Sequence, residues 1–216
     1  MCAWIAECRN PEWFKNSLIK VFIKIFDVDV NEASETDARK YENFNDFFTR
    51  SLRSGSRPIA NSDIVSPADG VVSQFGFIDR ESLVQAKGRF FLLSELLGFD
   101  DKTSQQDFED GAFLTIYLSP RDYHRFHMPV SGSLLSTRYV PGKLYSVNAA
   151  TAKKLDNLYA RNERYIANFS GMHGRFAMVA VGAMIVAGIE TVWSGTVASS
   201  SLITEVCERQ YEEKCI

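Results

Sequence analysis

Residues 111–129 read Gly-Ala-Phe-Leu-Thr-Ile-Tyr-Leu-Ser-Pro-Arg-Asp-Tyr-His-Arg-Phe-His-Met-Pro. An apolar run in this stretch is followed by two of the three histidines of the sequence and an aspartate. The first eight residues are mostly apolar, which favours a strand, and the proline after them cannot donate a ladder hydrogen bond. Ser119-Pro120-Arg121-Asp122 is typical of a turn or a helix start. The stretch therefore predicts a strand that ends in a turn and delivers His124 and His127.

Similar apolar runs on both sides predict a β-rich body. Residues 71–78 follow the turn Ser66-Pro67-Ala68-Asp69-Gly70, in which proline fixes one dihedral angle and Asp-Gly favours a reversal. The other strand candidates are 134–140, 165–169, 176–189 and 191–197. The run 176–189 is long and rich in alanine and valine, so a helix stays open there, and residues 90–97 favour a short helix. We predict an α+β fold, an N-terminal amphipathic helical region followed by a β-rich, mainly antiparallel domain.

The N-terminal region predicts one amphipathic helix, from Trp13 to Phe26. Its apolar residues recur every three or four positions, and Lys15, Lys20 and Lys24 lie among the polar ones. One interpretation is a helix packed on the protein's own core. The other is a helix in a membrane interface, where aromatic rings sink and lysines meet anionic headgroups.

Composition excludes several classes of protein. The 216 residues carry 24 Lys+Arg and 27 Asp+Glu, a formal net charge of −3, which argues against a wholly basic nucleic-acid binder. Four cysteines, at positions 2, 8, 207 and 215, have neither metal-knuckle nor disulfide-framework spacing, so we interpret them as reduced thiols. The sequence lacks an uninterrupted apolar run of about 18 residues and an apolar signal core at its start, so we expect neither a membrane span nor a secretory signal.

The candidate catalytic residues are His124, His127 and Asp69. Histidine can take and give a proton near neutral pH, and a carboxylate beside it can fix its tautomer. The two histidines would share one face of a helical turn but point to opposite sides of an extended segment. A metal half-site with Asp122 is the alternative, although zinc needs three or four ligands, so we predict no metal. His173, between glycines, reads as a loop residue.

Five blocks in this order make the sequence similar to the phosphatidylserine decarboxylases of the bacterial and mitochondrial type. The resemblance runs from about residue 4 to residue 197, and Tyr117 through Pro129 is its most specific part. The remaining blocks are Phe44–Phe48 with Arg57-Pro58-Ile59, Ser66–Gly70, Tyr139–Gly142 with Ser146–Asn148, and Ala160–Arg164 with Gly182-Ala183 and Glu190–Trp193.

The resemblance implies a decarboxylase that converts phosphatidylserine to phosphatidylethanolamine through a Schiff base on a covalent pyruvoyl group. In that family a Gly-Ser bond cleaves itself and the serine becomes the pyruvoyl group. On the matching positions Asp69 orients His127, which is the base for self-cleavage. His124 would serve decarboxylation, either by contacting the phosphate or by returning a proton to carbon, and the sequence does not separate these roles.

The family's self-cleavage motif, Leu-Gly-Ser-Thr, does not occur in these 216 residues. We therefore expect a helical membrane-interface region at 1–60, a catalytic domain at 61–197 that corresponds to the beta chain, and a divergent tail at 198–216. The pyruvoyl-forming serine would then belong to a separate alpha chain. We expect a phospholipid membrane as partner, at the cytoplasmic side of the cell membrane, and no nucleic acid; a homodimer stays open.

Two alternatives remain. A truncated or degenerate membrane-associated fragment would be catalytically inactive, and a missing final strand would leave an unpaired sheet edge. A β-sandwich phosphotransfer domain with one active histidine is a weaker alternative, because the blocks around Tyr123–His127 and Arg161–Arg164 argue against it.

Overall fold

The structure is a computed structural model that describes residues 5–79, 82–86, 88–98, 107–108, 110–183, 188–197 and 205–215. The chain forms two compact units. The first unit contains residues 1–71 and 116–130, and the second contains residues 72–115 and 131–216. Helices and mainly antiparallel strands occur together, which confirms the predicted α+β class.

The helices are α1 (Glu12–Phe26), α2 (Phe44–Phe48), α3 (Leu93–Leu97), α4 (Ala149–Ala152) and α5 (Leu158–Arg161). The strands are β1 (Val71–Phe77), β2 (Ser82–Ala86), β3 (Arg89–Leu92), β4 (Ala112–Tyr117), β5 (Gly132–Val140), β6 (Arg164–Gly171), β7 (Gly174–Val181), β8 (Ile189–Thr191), β9 (Gly195–Val197) and β10 (Cys207–Cys215). Within the described ranges, every helix is too short or too polar to span a bilayer.

Helix α1 forms where the sequence predicts it and packs on an aromatic cluster of the first unit. Ile19 is fully buried, and Phe22 is 7% exposed. The ring of Phe22 meets the rings of Phe44, Phe47 and Phe48 at centroid distances of 4.9, 6.2 and 5.9 Å. Edge-to-face contacts of this kind add to the free energy of burying the rings. The helix is therefore docked on the protein's own core along one side.

The sequence pattern assigns Lys15 to the polar side of this helix, and this assignment is wrong. Lys15 is buried, and its Nζ donates to the carbonyls of Arg39 at 3.0 Å and Tyr41 at 2.5 Å. A lysine stem can lie in apolar surroundings when its ammonium group reaches carbonyl acceptors. Lys20 and Lys24 remain exposed, so only these two form the cationic side of α1.

The second unit is built on a four-stranded antiparallel sheet in the order β10–β5–β6–β7. Strand β6 lies in the interior of the sheet, and five of its eight residues are buried. Strand β10 pairs with β5 from Cys207 opposite Tyr139 to Cys215 opposite Ser133. The segment predicted as a divergent tail thus contributes a strand that covers the edge of β5.

The block Arg161–Arg164 holds this sheet to its neighbours through buried polar groups. The guanidinium of Arg164 donates to the carbonyls of Leu96, Ala160 and Glu95 at 2.6 Å each and to that of Asn162 at 3.0 Å. Burial lowers the pKa of Arg164 to about 10. Four acceptors compensate the cost of removing this cation from water.

Two predicted elements differ in detail from the observed ones. Residues 90–97 divide between the end of β3 and helix α3, because each residue of Arg89–Leu92 pairs with a residue of β2. The run 176–189 begins as strand β7, which pairs with β6 from Gly174 to Val181. Residues 184–187, where the helix alternative partly lies, are outside the described residues.

Phe22→Ala should lower the free energy of unfolding by about 3–5 kcal/mol, because it leaves a cavity in the aromatic cluster. Ile25→Ala is the matched control on the same helix, since Ile25 is 67% exposed, and it should change stability by about 0.5 kcal/mol or less. Chemical denaturation followed by far-UV circular dichroism measures both variants. Equal losses would contradict the packing described for α1.

Candidate active site

The Asp69 carboxylate lies on a turn that only glycine can complete. Gly70 has φ +139°, and a Cβ there would lie 2.5 Å from the carbonyl oxygen of Tyr117. The Ser66 hydroxyl also donates to the Ala68 carbonyl at 2.8 Å. A glycine is required because a side chain would collide with the neighbouring backbone. The turn therefore fixes where the Asp69 side chain emerges.

Arg57 binds the Asp69 carboxylate. Its Nε donates to the two carboxylate oxygens at 3.0 and 2.9 Å, and its Nη2 donates to Oδ2 at 2.6 Å. The same guanidinium donates from Nη1 and Nη2 to the carboxylate of Glu32 at 2.9 and 2.7 Å. Hydrogen bonds to Glu32 and then to Asp69 raise the pKa of Arg57. The fork geometry of arginine makes such shared binding of two carboxylates specific.

The histidine-bearing segment begins with a closed turn. The carboxylate of Asp122 accepts hydrogen bonds from the backbone N–H and the hydroxyl of Ser119, at 2.6 and 2.7 Å. The backbone N–H of Asp122 donates to the Ser119 carbonyl at 2.9 Å. Asp122 is thus engaged in shaping the turn, as its position after Ser-Pro predicts.

His124 points inward and has a defined tautomer. Its Nδ1 lies 2.8 Å from the carbonyl oxygen of Asp122, and because a carbonyl can only accept, Nδ1 carries the proton. Its ring lies on Phe48, with centroids 3.9 Å apart. Burial, and secondarily the charge of Arg50, lower the pKa of His124. Nε2 of the neutral ring is left as a proton acceptor.

His127 lies exposed beside the Asp69 turn. Its backbone N–H donates to the carbonyl of Pro67 at 2.7 Å, which joins the histidine segment to the turn. Its Nε2 lies 3.1 Å from the Tyr123 hydroxyl, and the two rings stack with centroids 5.6 Å apart. Burial raises the pKa of Tyr123, and the charge of Asp69 adds to the effect. The phenol therefore stays protonated at neutral pH.

The structure brings the three predicted residues into one unit without joining all of them directly. Among the described residues, the hydrogen bonds of the Asp69 carboxylate go to Arg57, and that of the His127 ring goes to Tyr123. The segment 123–128 is neither helix nor strand, so the shared helical face is not formed. The arrangement is a group of two histidines and a carboxylate linked by the backbone and by Tyr123.

Sequence reasoning missed Arg57, Tyr123 and Arg50 as members of this group. Arg57 and Tyr123 stand in blocks that carry the family resemblance, but no spacing rule indicates which carboxylate or ring an arginine or tyrosine will contact. His173 lies exposed at the turn between β6 and β7, in agreement with its interpretation as a loop residue. The described ranges contain no group of three or more metal-ligating side chains.

Comparison with known proteins agrees with the sequence resemblance. The family model described as phosphatidylserine decarboxylase matches residues 44–212. The phosphatidylserine decarboxylase proenzyme of Stutzerimonas stutzeri (strain A1501) is 52% identical over 195 residues, which are 89% of this chain and 65% of the relative. The proenzyme of Azotobacter vinelandii (strain DJ / ATCC BAA-1303) is 53% identical over 195 residues, 89% of this chain and 68% of the relative. The chain spans about two thirds of the length of these curated relatives.

Stability should fall as pH decreases below the ordinary histidine pKa of 6.5, because the unfolded chain then binds a proton at His124 before the folded chain does. Above that pH both states are neutral at this residue and the effect disappears. The His124 contribution to the slope is at most about 1.4 kcal/mol per pH unit, the value for one proton. Urea unfolding between pH 5 and 7.5 measures it.

His124→Gln should reduce this slope, and His173→Gln, at an exposed loop position, should retain it. Superimposable slopes for the wild type and His124→Gln would show that His124 is not the residue that titrates.

Proposed function

The chain belongs to the phosphatidylserine decarboxylase family, and on that premise we propose that it takes part in converting phosphatidylserine to phosphatidylethanolamine. The observation that carries the proposal is the pair of histidines held in different environments in the first unit. The His124 ring is partly buried and has a free proton-accepting nitrogen, and His127 is exposed beside a carboxylate turn. Self-cleavage and decarboxylation each need a group that transfers protons, and two histidines in different environments can supply them.

The residues present fit a covalent pyruvoyl group that is formed next to His127. The Nε2 atom of His127 already lies within hydrogen-bond distance of a hydroxyl, that of Tyr123. An exposed imidazole in this environment can accept the proton of a serine hydroxyl that attacks its neighbouring carbonyl. When present, the pyruvoyl carbonyl supplies the electron sink for decarboxylation. We propose that the serine that forms it lies on a pyruvoyl-bearing alpha chain, which the proenzyme names of the relatives support.

Asp69 acts in this proposal as the carboxylate of the turn to which His127 is joined by its backbone. A carboxylate offers about four lone-pair sites, and Arg57 takes three hydrogen bonds, so the capacity for one more remains. Asp69 also acts on Tyr123, the hydroxyl that touches His127. Arg57 positions Asp69 through these hydrogen bonds.

His124 moves protons during decarboxylation. Its Nε2 is available because Nδ1 is committed to the Asp122 carbonyl. We propose that Nε2 takes a proton from the substrate ammonium group and later returns a proton to the carbon that loses CO₂. The lowered pKa of His124 favours this role over a static contact between an imidazolium and phosphate.

We propose that the chain meets its lipid substrate through the outer face of α1, as a peripheral protein on the cytoplasmic side of the membrane. Trp13, Val21 and Ile25 are exposed on that helix, next to Lys20 and Lys24. Apolar side chains that insert between headgroups and lysines that attract anionic lipids act together in interfacial helices.

A non-catalytic membrane-associated protein is the competing proposal, favoured by the exposed apolar and cationic side chains of α1. Coexpression of the chain with the part of the Azotobacter vinelandii proenzyme outside the matched 195 residues separates the two. We expect CO₂ release from phosphatidylserine vesicles and a blocked N-terminus on the added chain, seen by mass spectrometry. No CO₂ above background from an assembled, cleaved complex would reject the enzymatic proposal.

Variants of the three histidines assign the roles. His127→Gln should abolish self-cleavage, because it removes the base. His124→Gln should retain cleavage and lose decarboxylation by about 10²-fold or more. His173→Gln is the matched control and should retain both. Loss of cleavage in His124→Gln alone would reverse the assignments.

Ile25→Glu should weaken binding to vesicles of phosphatidylglycerol and phosphatidylcholine by about tenfold or more, because burial of one isoleucine contributes roughly 1.5–3 kcal/mol. Ile59→Glu, a change of an exposed isoleucine in the same unit, is the control for added negative charge. Vesicle flotation at low and high salt measures both. An equal loss in the two variants would attribute binding to net charge and reject insertion of α1.

A further inference from the structure

Arg50 is a buried cation whose hydrogen-bonding groups are largely unpaired. Arg50 follows α2 in the chain and is 4% exposed. Its guanidinium carbon lies 5.4 Å from the centroid of the Phe47 ring. Nη2 donates to the Arg121 carbonyl at 3.1 Å. Nε and Nη1 are covered by protein and have no hydrogen-bond partner among the described residues.

Burying the Arg50 guanidinium with unpaired donors lowers the stability of the unliganded protein. A guanidinium carries five N–H donors, and a buried donor without an acceptor loses its hydration without compensation. No carboxylate of the described residues lies within ion-pair distance of Arg50; Glu32 and Asp122 act on it only at longer range. Arg164 of the second unit shows the contrasting case, with a carbonyl for each of its guanidinium nitrogens. Packing alone would be served by an apolar residue of similar volume.

Two consecutive carbonyls and two consecutive aromatic rings hold the side chains of Arg50 and His124. Arg50 donates to the Arg121 carbonyl and His124 donates to the next carbonyl, that of Asp122. The guanidinium lies on Phe47 and the imidazole lies on the next ring, Phe48. Successive carbonyls and successive aromatic rings thus place an unpaired cation beside the proposed proton-transfer residue.

We propose that Arg50 binds the phosphodiester of the lipid headgroup whose serine reaches His124. This inference rests on the proposed function, and it gives the unpaired Nε and Nη1 donors an oxyanion acceptor. Guanidinium groups bind phosphate oxygens through charge-assisted hydrogen bonds. Binding requires a movement of the protein atoms that cover Nε and Nη1.

The reaction favours the phosphodiester over the carboxylate as the anion bound by Arg50. The carboxylate loses its charge as CO₂ forms, so a cation paired with it would stabilise the substrate more than the transition state. The phosphodiester keeps its charge throughout, so binding it positions the headgroup without raising the barrier. Arg50 therefore binds the phosphate, and His124 stays free for proton transfer.

Ligand binding to the 216-residue chain tests the assignment without need of catalysis. The probes are glycerophosphoethanolamine, which has the phosphodiester but no carboxylate, glycerophosphoserine, L-serine and inorganic phosphate. We expect the two phosphodiesters to bind, as seen by calorimetry and by shifts of the His124 imidazole signals in NMR, and L-serine to bind at least about tenfold more weakly. Tighter binding of L-serine than of glycerophosphoethanolamine would overturn the assignment. So would inorganic phosphate that binds as tightly as the diesters, because it would indicate a free-phosphate site.

Arg50→Met should lose about tenfold or more in affinity for both diesters and should unfold, without ligand, at the same temperature as the wild type or a higher one. Arg50→Lys, which keeps the charge with fewer donors, should fold and bind with intermediate affinity. Arg53→Met is the control, since it removes an exposed cation of the same unit and should bind as the wild type does. Unchanged affinity in Arg50→Met, or a clearly lower unfolding temperature of that variant without ligand, would overturn the proposal. Retained binding together with absent CO₂ release in the assembled complex would reject the enzymatic proposal and leave the anion site intact.

Discussion

The geometry of the candidate site depends on the ion pair between Arg57 and Asp69. A partly buried carboxylate needs donors, and three hydrogen bonds from one guanidinium provide them while Glu32 fixes the other side of the same group. The Asp69 turn is in turn joined to the histidine segment by the hydrogen bond from His127 to Pro67. The backbone of His127 is therefore tied to the turn that carries this ion pair, whereas His124 is held by the Asp122 carbonyl and the Phe48 ring.

Two arginines of the first unit differ in their hydrogen-bond partners. This difference separates an arginine that positions a carboxylate from one that we propose binds the ligand. Arg57 is satisfied by two carboxylates and serves to position one of them. Arg50 is buried with unpaired donors, and its charge adds to the effect of burial in lowering the pKa of His124. A satisfied cation contributes to folding, whereas an unsatisfied one is a cost that a ligand can remove.

The second unit shows what a purely structural use of the same residue types looks like. Asn162 donates to the carbonyls of Tyr145 and Gly182 at 2.9 and 2.8 Å, and Arg164 is surrounded by carbonyl acceptors. The Arg-Asn-Glu-Arg block, which helps to identify the family, thus holds loops and helices against the central strand β6. The sequence blocks shared with the family therefore contain both residues of the candidate site and residues with a structural role. Their hydrogen-bond partners in the structure distinguish these two groups.

The α+β class, the extent of α1 and most strands could be predicted from the sequence, because apolar periodicity and glycine or proline positions are local properties of the chain. It also indicated the family through the residues around His124 and His127. Tertiary structure decided that Lys15 is buried, that Phe22 belongs to the core and Ile25 to the surface, and that Asp69 pairs with Arg57. The local sequence pattern does not specify which face of a helix is buried or which arginine pairs with a given carboxylate. Contacts between residues far apart in the chain make that choice, since burial and charge pairing are defined only when those residues meet.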